Sequence, residues 1–192
     1  MNAIDRFNSD RKLARDTKDP YASLCTLASV GADGEPHART LVLRDVDDGK
    51  NMRLGIFVNQ TSPKIDQFDQ SRLVTIVTYF DSLSLQYRIR CSLETISPSI
   101  VHASWLLRPS APKRMDWLYE TFPQSSPIDS RKTLLTIFDE TQVQAKAPSS
   151  ARGFFINPES IERLDLNQSN GIHMRQLFEK SGTEWKSTTL VP

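Results

Sequence analysis

The chain has 192 residues, with 24 basic and 23 acidic side chains and a formal net charge of +1. This length fits one domain with a sizeable core, and the near-neutral balance gives no indication of nucleic acid or a membrane surface as a bulk partner. No apolar run approaches the roughly 20 residues of a membrane-spanning helix, and the N-terminus is too charged for a signal peptide, so we expect a cytoplasmic protein.

The cysteines and histidines do not form a recognisable metal-binding pattern. Cys25 and Cys91 are far apart and lack metal-ligand spacing, so we expect reduced thiols. A disulfide between them would require a proximity that the sequence does not show. His37, His102 and His173 stand alone, and no metal site is predicted.

The N-terminal 19 residues are predicted to form a polar arm or surface helix, with a thin apolar stripe of Ile4, Phe7 and Leu13. Beyond them, short β-branched or alternating segments predict strands over 22–30, 36–46, 52–59, 73–80, 85–96, 153–156, 161–166, 172–178 and 185–191. Helices are predicted over 63–68, 98–108, 113–119 and 131–145, the last burying Leu134, Leu135, Ile137 and Phe138. The many predicted strands, with most helices placed late in the chain, indicate a single α+β barrel domain over residues 1–192 rather than a parallel α/β sheet.

Two positions predict local irregularities in strands. Gly55 lies inside a strand pattern and indicates a bulge or a close backbone approach. Asn157 and Pro158 separate two apolar segments and indicate a turn or a bulge between them.

The stretch from Arg39 to Lys64 combines two cations with the beginning of a helix. Ser62 is a favoured N-cap residue, and Pro63 is favoured at the first helical position. Backbone N–H groups and the helix dipole favour an anion at such a point, so the unit is a candidate phosphate site. The alternative is that Arg39 and Lys64 are ordinary solvated cations. Glycine-rich nucleotide loops and standard hydrolase motifs are not found in the sequence.

Six stretches, in the same order, resemble motifs of the pyridoxamine 5'-phosphate oxidase family, the FMN-binding split-barrel flavoproteins. They are Arg39–Arg44, Phe57–Lys64, Leu85–Arg88, Gln124–Ile128, His173–Arg175, and Trp185 with Leu190–Pro192. The resemblance covers residues 21–192 and implies an antiparallel split β-barrel with peripheral helices. It also implies a homodimer with FMN at the subunit interface.

The resemblance assigns roles to particular residues. The implied FMN contacts are Arg39, Thr40, Leu41, Val42, Leu43, Phe57, Val58, Ser62, Lys64, Gln86, Gln124, Ser125 and Arg175. Of these, Arg39, Ser62 and Lys64 would hold the phosphate, and Gln124, Ser125 and Arg175 would come from the second subunit. Arg44 and Arg108 would grip the phosphate of the substrate, and His173 would lie near the site of hydride transfer.

The chain departs from the family pattern mainly on the substrate side. Ser104 replaces a substrate-binding Tyr, Pro112 a Ser, Gly171 an Arg, and Leu164 a flavin-facing Trp. Loss of such hydrogen-bond donors weakens or redirects specificity. One hypothesis is an FMN-dependent oxidoreductase that oxidises a phosphorylated amine or alcohol, such as pyridoxamine or pyridoxine 5'-phosphate, with O2. A second is a non-catalytic flavin-binding or regulatory protein, and a third is a split barrel for another flavin-like or tetrapyrrole ligand.

Overall fold

A computed structural model describes residues 2–192. Its strands are β1 (Leu24–Val30), β2 (Pro36–Val42), β3 (Arg44–Asp47), β4 (Met52–Asn59), β5 (Leu73–Phe80), β6 (Leu85–Thr95), β7 (Ala151–Asp165), β8 (Met174–Ser181) and β9 (Glu184–Leu190). Its α-helices are α1 (Ala3–Asp16), α2 (Lys64–Gln70), α3 (Pro98–Leu106), α4 (Ser110–Leu118) and α5 (Arg131–Glu140). Within the described residues, no helix is both long enough and apolar enough to cross a membrane.

The strands form one antiparallel sheet in the order β2-β1-β5-β6-β7-β4-β3, with β8 and β9 added beyond β7. Strands β2 and β3 lie at opposite ends of this order although they follow one another in the chain. Because one residue cannot span a flat sheet of this width, the sheet must curl until its two ends meet. The predicted α+β class with an antiparallel barrel is therefore confirmed.

The prediction of one strand over 36–46 is wrong, because the chain changes partners at Leu43. Strand β2 pairs with β1, whereas β3 pairs with β4. Leu43 lies between them with its side chain buried and its N–H bonded to the carbonyl of Ser23 at 2.9 Å. Leu43 and Val46 are both buried although they are three residues apart, so the alternation of buried and exposed side chains also breaks here. The sequence pattern did not reveal this break.

Strand β7 is the longest element and links the two parts of the sheet. Its first residues pair with β4 and its last with β8, while β6 pairs along its other side. Arg90 of β6 pairs with Ser160 of β7, and Cys91 pairs with Pro158, so Glu159 of β7 is an extra residue without a strand-pairing partner on β6. The two predicted segments therefore form one strand, and the irregularity near Pro158 is a bulge.

Helix α1 is packed against the barrel rather than lying on it as a loose arm. The ring of Phe7 lies edge-on to Tyr87 at a centroid distance of 5.0 Å and against Phe80 at 6.1 Å. Arg11 is only 1 % exposed, whereas Leu13, predicted to be part of the apolar stripe, is 50 % exposed. The predicted helix is present, but Leu13 was assigned to the wrong face.

The predicted helix ends need correction, and α5 is less buried than predicted. Helix α2 begins at Lys64 instead of Pro63, α4 begins at Ser110, and α5 ends at Glu140. In α5, Leu134, Ile137 and Phe138 are half-buried, and Leu135 is 48 % exposed. This helix packs mainly against α4, so its apolar face is only partly covered within one chain.

The close approach predicted at Gly55 is confirmed. A Cβ atom added to this residue would lie 2.9 Å from Val46 Cγ2 and 3.3 Å from the carbonyl oxygen of Phe154. Cys25 and Cys91 are both buried free thiols, as expected.

Candidate functional site

Arg39 is held at the rim of the barrel interior. It pairs across strands with the buried Leu27, so its side chain lies on the inner side of the sheet. Its guanidinium donates to Ser29 Oγ and to Gln67 Oε1, each at 2.6 Å. Gln67, on α2, also accepts from Ser29 at 2.7 Å. These contacts fix Arg39 against α2, and the sequence reasoning had assigned no role to Gln67 or Ser29.

Lys64 lies close to Arg39 at the beginning of α2. Its ammonium group donates to the hydroxyl of the buried Ser62. Burial lowers the pKa of Lys64, and the positive charge of Arg39 lowers it further. Burial also lowers the pKa of Arg39. Within residues 2–192, no carboxylate forms an ion pair with either side chain. Two neighbouring, partly desolvated cations without a counter-ion create a site that favours an anion.

The prediction that Ser62 caps the helix is wrong. Helix α2 has no side-chain cap, and the hydroxyl of Ser62 is occupied by Lys64. The nearby loop is fixed instead by Asn59, whose Oδ1 accepts from the N–H and the hydroxyl of Thr61 at 2.9 and 2.7 Å. The hydroxyl oxygen of Ser62 is therefore positioned by Lys64 rather than by the helix backbone.

The Gln124–Ser125 loop contacts the same region within its own chain. The N–H of Gln124 donates to Thr61 Oγ1 at 3.0 Å. Ser125 has φ of 74°, the left-handed region that a non-glycine residue enters at an energetic cost. The two residues were predicted to reach FMN from the partner subunit, and the structure shows that this loop already lies beside the Arg39–Lys64 region of its own chain.

A cavity of about 290 Å³ brings together several of the predicted ring and substrate residues. Its lining includes Val42, Leu43, Phe57, Arg44 and Arg108. Arg108 forms an ion pair with Asp116 at 3.2 Å, and its buried Nε has no hydrogen-bond partner in the described part of the chain. Burial lowers the pKa of Arg44, and the charge of Arg108 lowers it further. The cavity therefore presents two adjacent cations, Arg44 and Arg108.

Helix α1 also reaches this cavity, which the sequence reasoning did not anticipate. Arg11 and Arg15 both line it, and both pair with Asp45, Arg15 at 2.6 Å. Arg11 also donates to the carbonyls of Ala22 and Leu43. Burial would raise the pKa of Asp45, but the hydrogen bonds and charges of the two arginines outweigh it and lower that pKa. The spacing of two arginines four residues apart on one helix face was the available signal.

Gln86 and Arg175 lie in one row on the outer face of the sheet. Gln86 pairs across strands with Leu164, which pairs with Arg175. Gln86 alternates with the buried side chains of β6, so this row lies on the side opposite to Arg39. Arg175 Nε donates to Glu162 at 2.9 Å, and Arg88 also pairs with Glu162. Burial would raise the pKa of Glu162, but the two arginines outweigh it and lower that pKa.

The remaining predicted residues are spread over several surfaces. Leu41 packs against the main core, and Val58 lines a small second cavity that shares Arg44 and Arg108 with the first. Thr40 points to the outer face, opposite to its neighbour in sequence Arg39. His173 lies exposed in the loop before β8. The structure therefore separates three groups: Arg39 with Ser62 and Lys64, the residues that line the cavity, and the outer row of Gln86 and Arg175. His173 lies outside all three groups.

Comparison with known proteins shows which family the first half of this chain is similar to. Residues 6–97 match the model of a family described as "Pyridoxamine 5'-phosphate oxidase, FMN-binding domain". Over these residues the chain is similar to that family, as its motifs predict.

Particular relatives cover nearly the whole chain. The pyridoxine/pyridoxamine 5'-phosphate oxidase of Shewanella pealeana is 29% identical over 98% of this chain and 88% of its own length. The enzyme of the same name from Teredinibacter turnerae is 27% identical over 100% of this chain and 90% of its own length.

Two solved structures share the fold. PhzG from Burkholderia lata 383, in complex with tetrahydrophenazine-1-carboxylic acid, superposes with a TM-score of 0.85, 20% identity and coverage of 100% of this chain and 93% of its own. A pyridoxamine 5'-phosphate oxidase-related, FMN-binding protein from Nostoc punctiforme superposes with a TM-score of 0.80 and 23% identity, covering 99% of this chain and 96% of its own. The predicted split barrel with peripheral helices is thereby confirmed.

Proposed function

We propose that the protein binds FMN and acts as an oxidoreductase on a small anionic substrate. The observation that carries this proposal is the pair of partly desolvated cations, Arg39 and Lys64, which no carboxylate neutralises within residues 2–192. An anion with several acceptor oxygens satisfies such a pair, because charge-assisted hydrogen bonds are the stronger kind.

The residues present fit the cofactor that the family binds. Arg39, Ser62 and Lys64 would hold the FMN phosphate, while Leu43 and Phe57 on the wall of the neighbouring cavity would face the ring. When bound, FMN supplies two-electron chemistry, accepting a hydride from a substrate. The contribution of the chain is to bind the phosphate, orient the ring beside the cavity and exclude water with apolar side chains.

A homodimer would complete the site. Arg39 lies on the inner side of the sheet, whereas Gln86 and Arg175 lie in a row on its outer face. Because one small ligand cannot contact both faces of a sheet at these positions, we propose that the outer row of the partner approaches the cavity. We therefore revise the earlier subunit assignment: Gln86 would come with Arg175 from the partner, and Gln124 would join Lys64 of its own chain.

Arg44 and Arg108 support an anionic substrate. Both line the cavity beside Phe57, and the guanidinium fork of an arginine is suited to phosphate oxygens. With the names of the curated relatives, this supports a phosphorylated amine or alcohol, such as pyridoxamine or pyridoxine 5'-phosphate. Its oxidation would remove two electrons and two protons from the substrate and pass them to O2, giving H2O2. His173 is kept as a candidate near the hydride-transfer site.

A non-catalytic flavin-binding role is the second candidate. Ser104 lines the cavity where the family pattern has a Tyr, and Gly171 lies in an exposed loop where the pattern has an Arg. Fewer hydrogen-bond donors reach the substrate position, while the cations of the phosphate site are kept. This candidate predicts FMN binding without oxygen-dependent formation of pyridoxal 5'-phosphate from pyridoxamine 5'-phosphate.

The experiment that tests the proposal is an absorbance spectrum of the purified protein with mass identification of any released ligand. We expect the flavin bands, or their appearance after incubation with FMN. A protein that stays colourless after incubation would rule out both flavin candidates.

The phosphate assignment is tested by replacing Lys64 with Ala and measuring FMN affinity by quenching of flavin fluorescence. Loss of a charged hydrogen bond, worth about 1.5–3 kcal/mol, predicts roughly 10- to 150-fold weaker binding. Lys50→Ala, in the exposed turn between β3 and β4, is the matched control and should bind FMN normally. Unchanged affinity in Lys64→Ala would remove this residue from the site.

A further inference from the structure

The cavity beside Arg44 is bounded on one side by helix α1, which the family motifs do not include. Arg15 lies in the last turn of α1, and its side chain is 38 % exposed. It donates one N–H to Asp45 and makes no other side-chain hydrogen bond with residues 2–192. Most of its guanidinium donors therefore remain available to a ligand in the cavity.

Asp45 holds Arg15 in this position because Arg11 fixes Asp45 from the other side. Arg11 is buried and bonded to two backbone carbonyls and to Asp45 Oδ1, so it has little freedom to move. Asp45 Oδ2 accepts from Arg15. Arg11 thus acts as a structural anchor, and Asp45 is a positioning residue that directs Arg15 at the cavity rather than into solvent.

The charges around the cavity do not balance. Four arginines line it against one aspartate, a net of +3, and Asp116 beside Arg108 reduces this to +2. Arg11 and Asp45 neutralise one another, and Arg108 is offset by Asp116, so the surplus lies on Arg15 and Arg44. A singly charged ligand would leave one of these cations uncompensated, whereas a phosphomonoester carries a charge of about −1.5 to −2 at neutral pH.

We propose that Arg15 of helix α1 is an anion-binding residue of the substrate cavity and sets its preference for a doubly charged group. This inference rests on the proposed function, because it takes the cavity beside Phe57 as the substrate site. It makes the N-terminal helix part of the binding site, with Arg44 and Arg108 contributing from β3 and from the residues after α3.

The test compares two probes that differ only in a phosphate group: the oximes of pyridoxal 5'-phosphate and of pyridoxal. Oximes do not form imines with lysines, so calorimetric titration of the FMN-incubated protein reports on the cavity. We expect Arg15→Ala to bind the phosphorylated oxime at least about tenfold more weakly and the unphosphorylated one unchanged. Arg15→Lys, which keeps the charge, should recover part of the loss.

Lys12→Ala is the matched control, since it removes one positive charge from the same helix at an exposed position outside the cavity. It should bind both probes as the wild type does. The inference is overturned if Arg15→Ala keeps wild-type affinity for the phosphorylated oxime, if both probes weaken equally, or if the wild type does not prefer the phosphorylated probe. FMN affinity, measured separately, should be equal in all variants, so failure of FMN binding counts against the proposed function and not against Arg15.

Discussion

The ring of Phe57 depends on the absence of a side chain at Gly153. The two residues pair across β4 and β7, and a Cβ atom at Gly153 would lie 3.0 Å from the nearest ring atom of Phe57 and 3.0 Å from Ile96 Cδ1. Contacts of this length are tighter than nine in ten real Cβ contacts, so in Gly153→Ala the ring or its neighbours must shift by a few tenths of an ångström. Overpacking of this kind costs about 1–3 kcal/mol.

Part of that cost is offset in the unfolded chain. Replacing Gly by Ala reduces the entropy of the unfolded state, which stabilises the fold by about 0.4–1 kcal/mol. The net expectation for Gly153→Ala is therefore a loss of up to about 2.6 kcal/mol. With a urea m-value of about 2 kcal/mol/M, the unfolding midpoint should fall by up to about 1.3 M.

The double variant Phe57→Leu/Gly153→Ala tests whether the contact with the Phe57 ring causes the loss of stability. A smaller side chain at position 57 removes the contact with the ring, so the added methyl group should cost less in this background than in the wild type. Urea unfolding of the four members of this cycle measures the coupling. The same cost of Gly153→Ala in both backgrounds would refute the assignment of Gly153 as space for the ring.

Three further outcomes follow from particular polar side chains. Tyr87→Phe removes a charge-assisted hydrogen bond to a carboxylate on α1 and should lower the free energy of unfolding by about 1.5–3 kcal/mol in urea titrations, while Tyr21→Phe, at an exposed position, should have little effect. Asp45 has a lowered pKa, so its stabilising contribution is present above about pH 4 and is lost as pH falls through the folded-state pKa. The difference in the free energy of unfolding between the wild type and Asp45→Asn should therefore shrink over that pH range. A difference that stays constant would contradict this. Burial raises the pKa of Cys25 to about 11 and of Cys91 to about 12, so neither should react with a disulfide reagent near pH 8 until the protein is unfolded; rapid reaction of the native protein would contradict the burial.

Local sequence patterns predicted the strands well because their side chains alternate regularly. Strand β4 begins and ends at the predicted residues, and β5 matches the most β-branched segment of the chain. The apolar face of α5 was also visible as a pattern. Periodicity shows that a helix has an apolar face but not which surface covers it, and Leu135 is accordingly exposed in the single chain.

The long-range polar contacts could not be predicted in the same way. An arginine is normally exposed, so nothing local indicated that Arg11 is buried between two carbonyls and Asp45. Gln67 lies 28 residues from Arg39, and Glu162 lies 13 residues from Arg175 and 74 from Arg88. The motif residues were found by resemblance, whereas the residues that position them depend on which strands become neighbours.

The long strand β7 has a consequence for how the chain folds during synthesis. It lies between β4 and β6 in the sheet order, and it begins at residue 151. At about 5–20 residues per second, roughly 5–18 s separate the emergence of residue 59 from that of residue 151. During this interval one edge of β4 lacks its final partner, and from residue 95 onwards so does one edge of β6. Unpaired strand edges favour aggregation. Closure of the barrel is therefore a late event on the ribosome, and a truncated chain that ends before β7 should depend on chaperones to remain soluble.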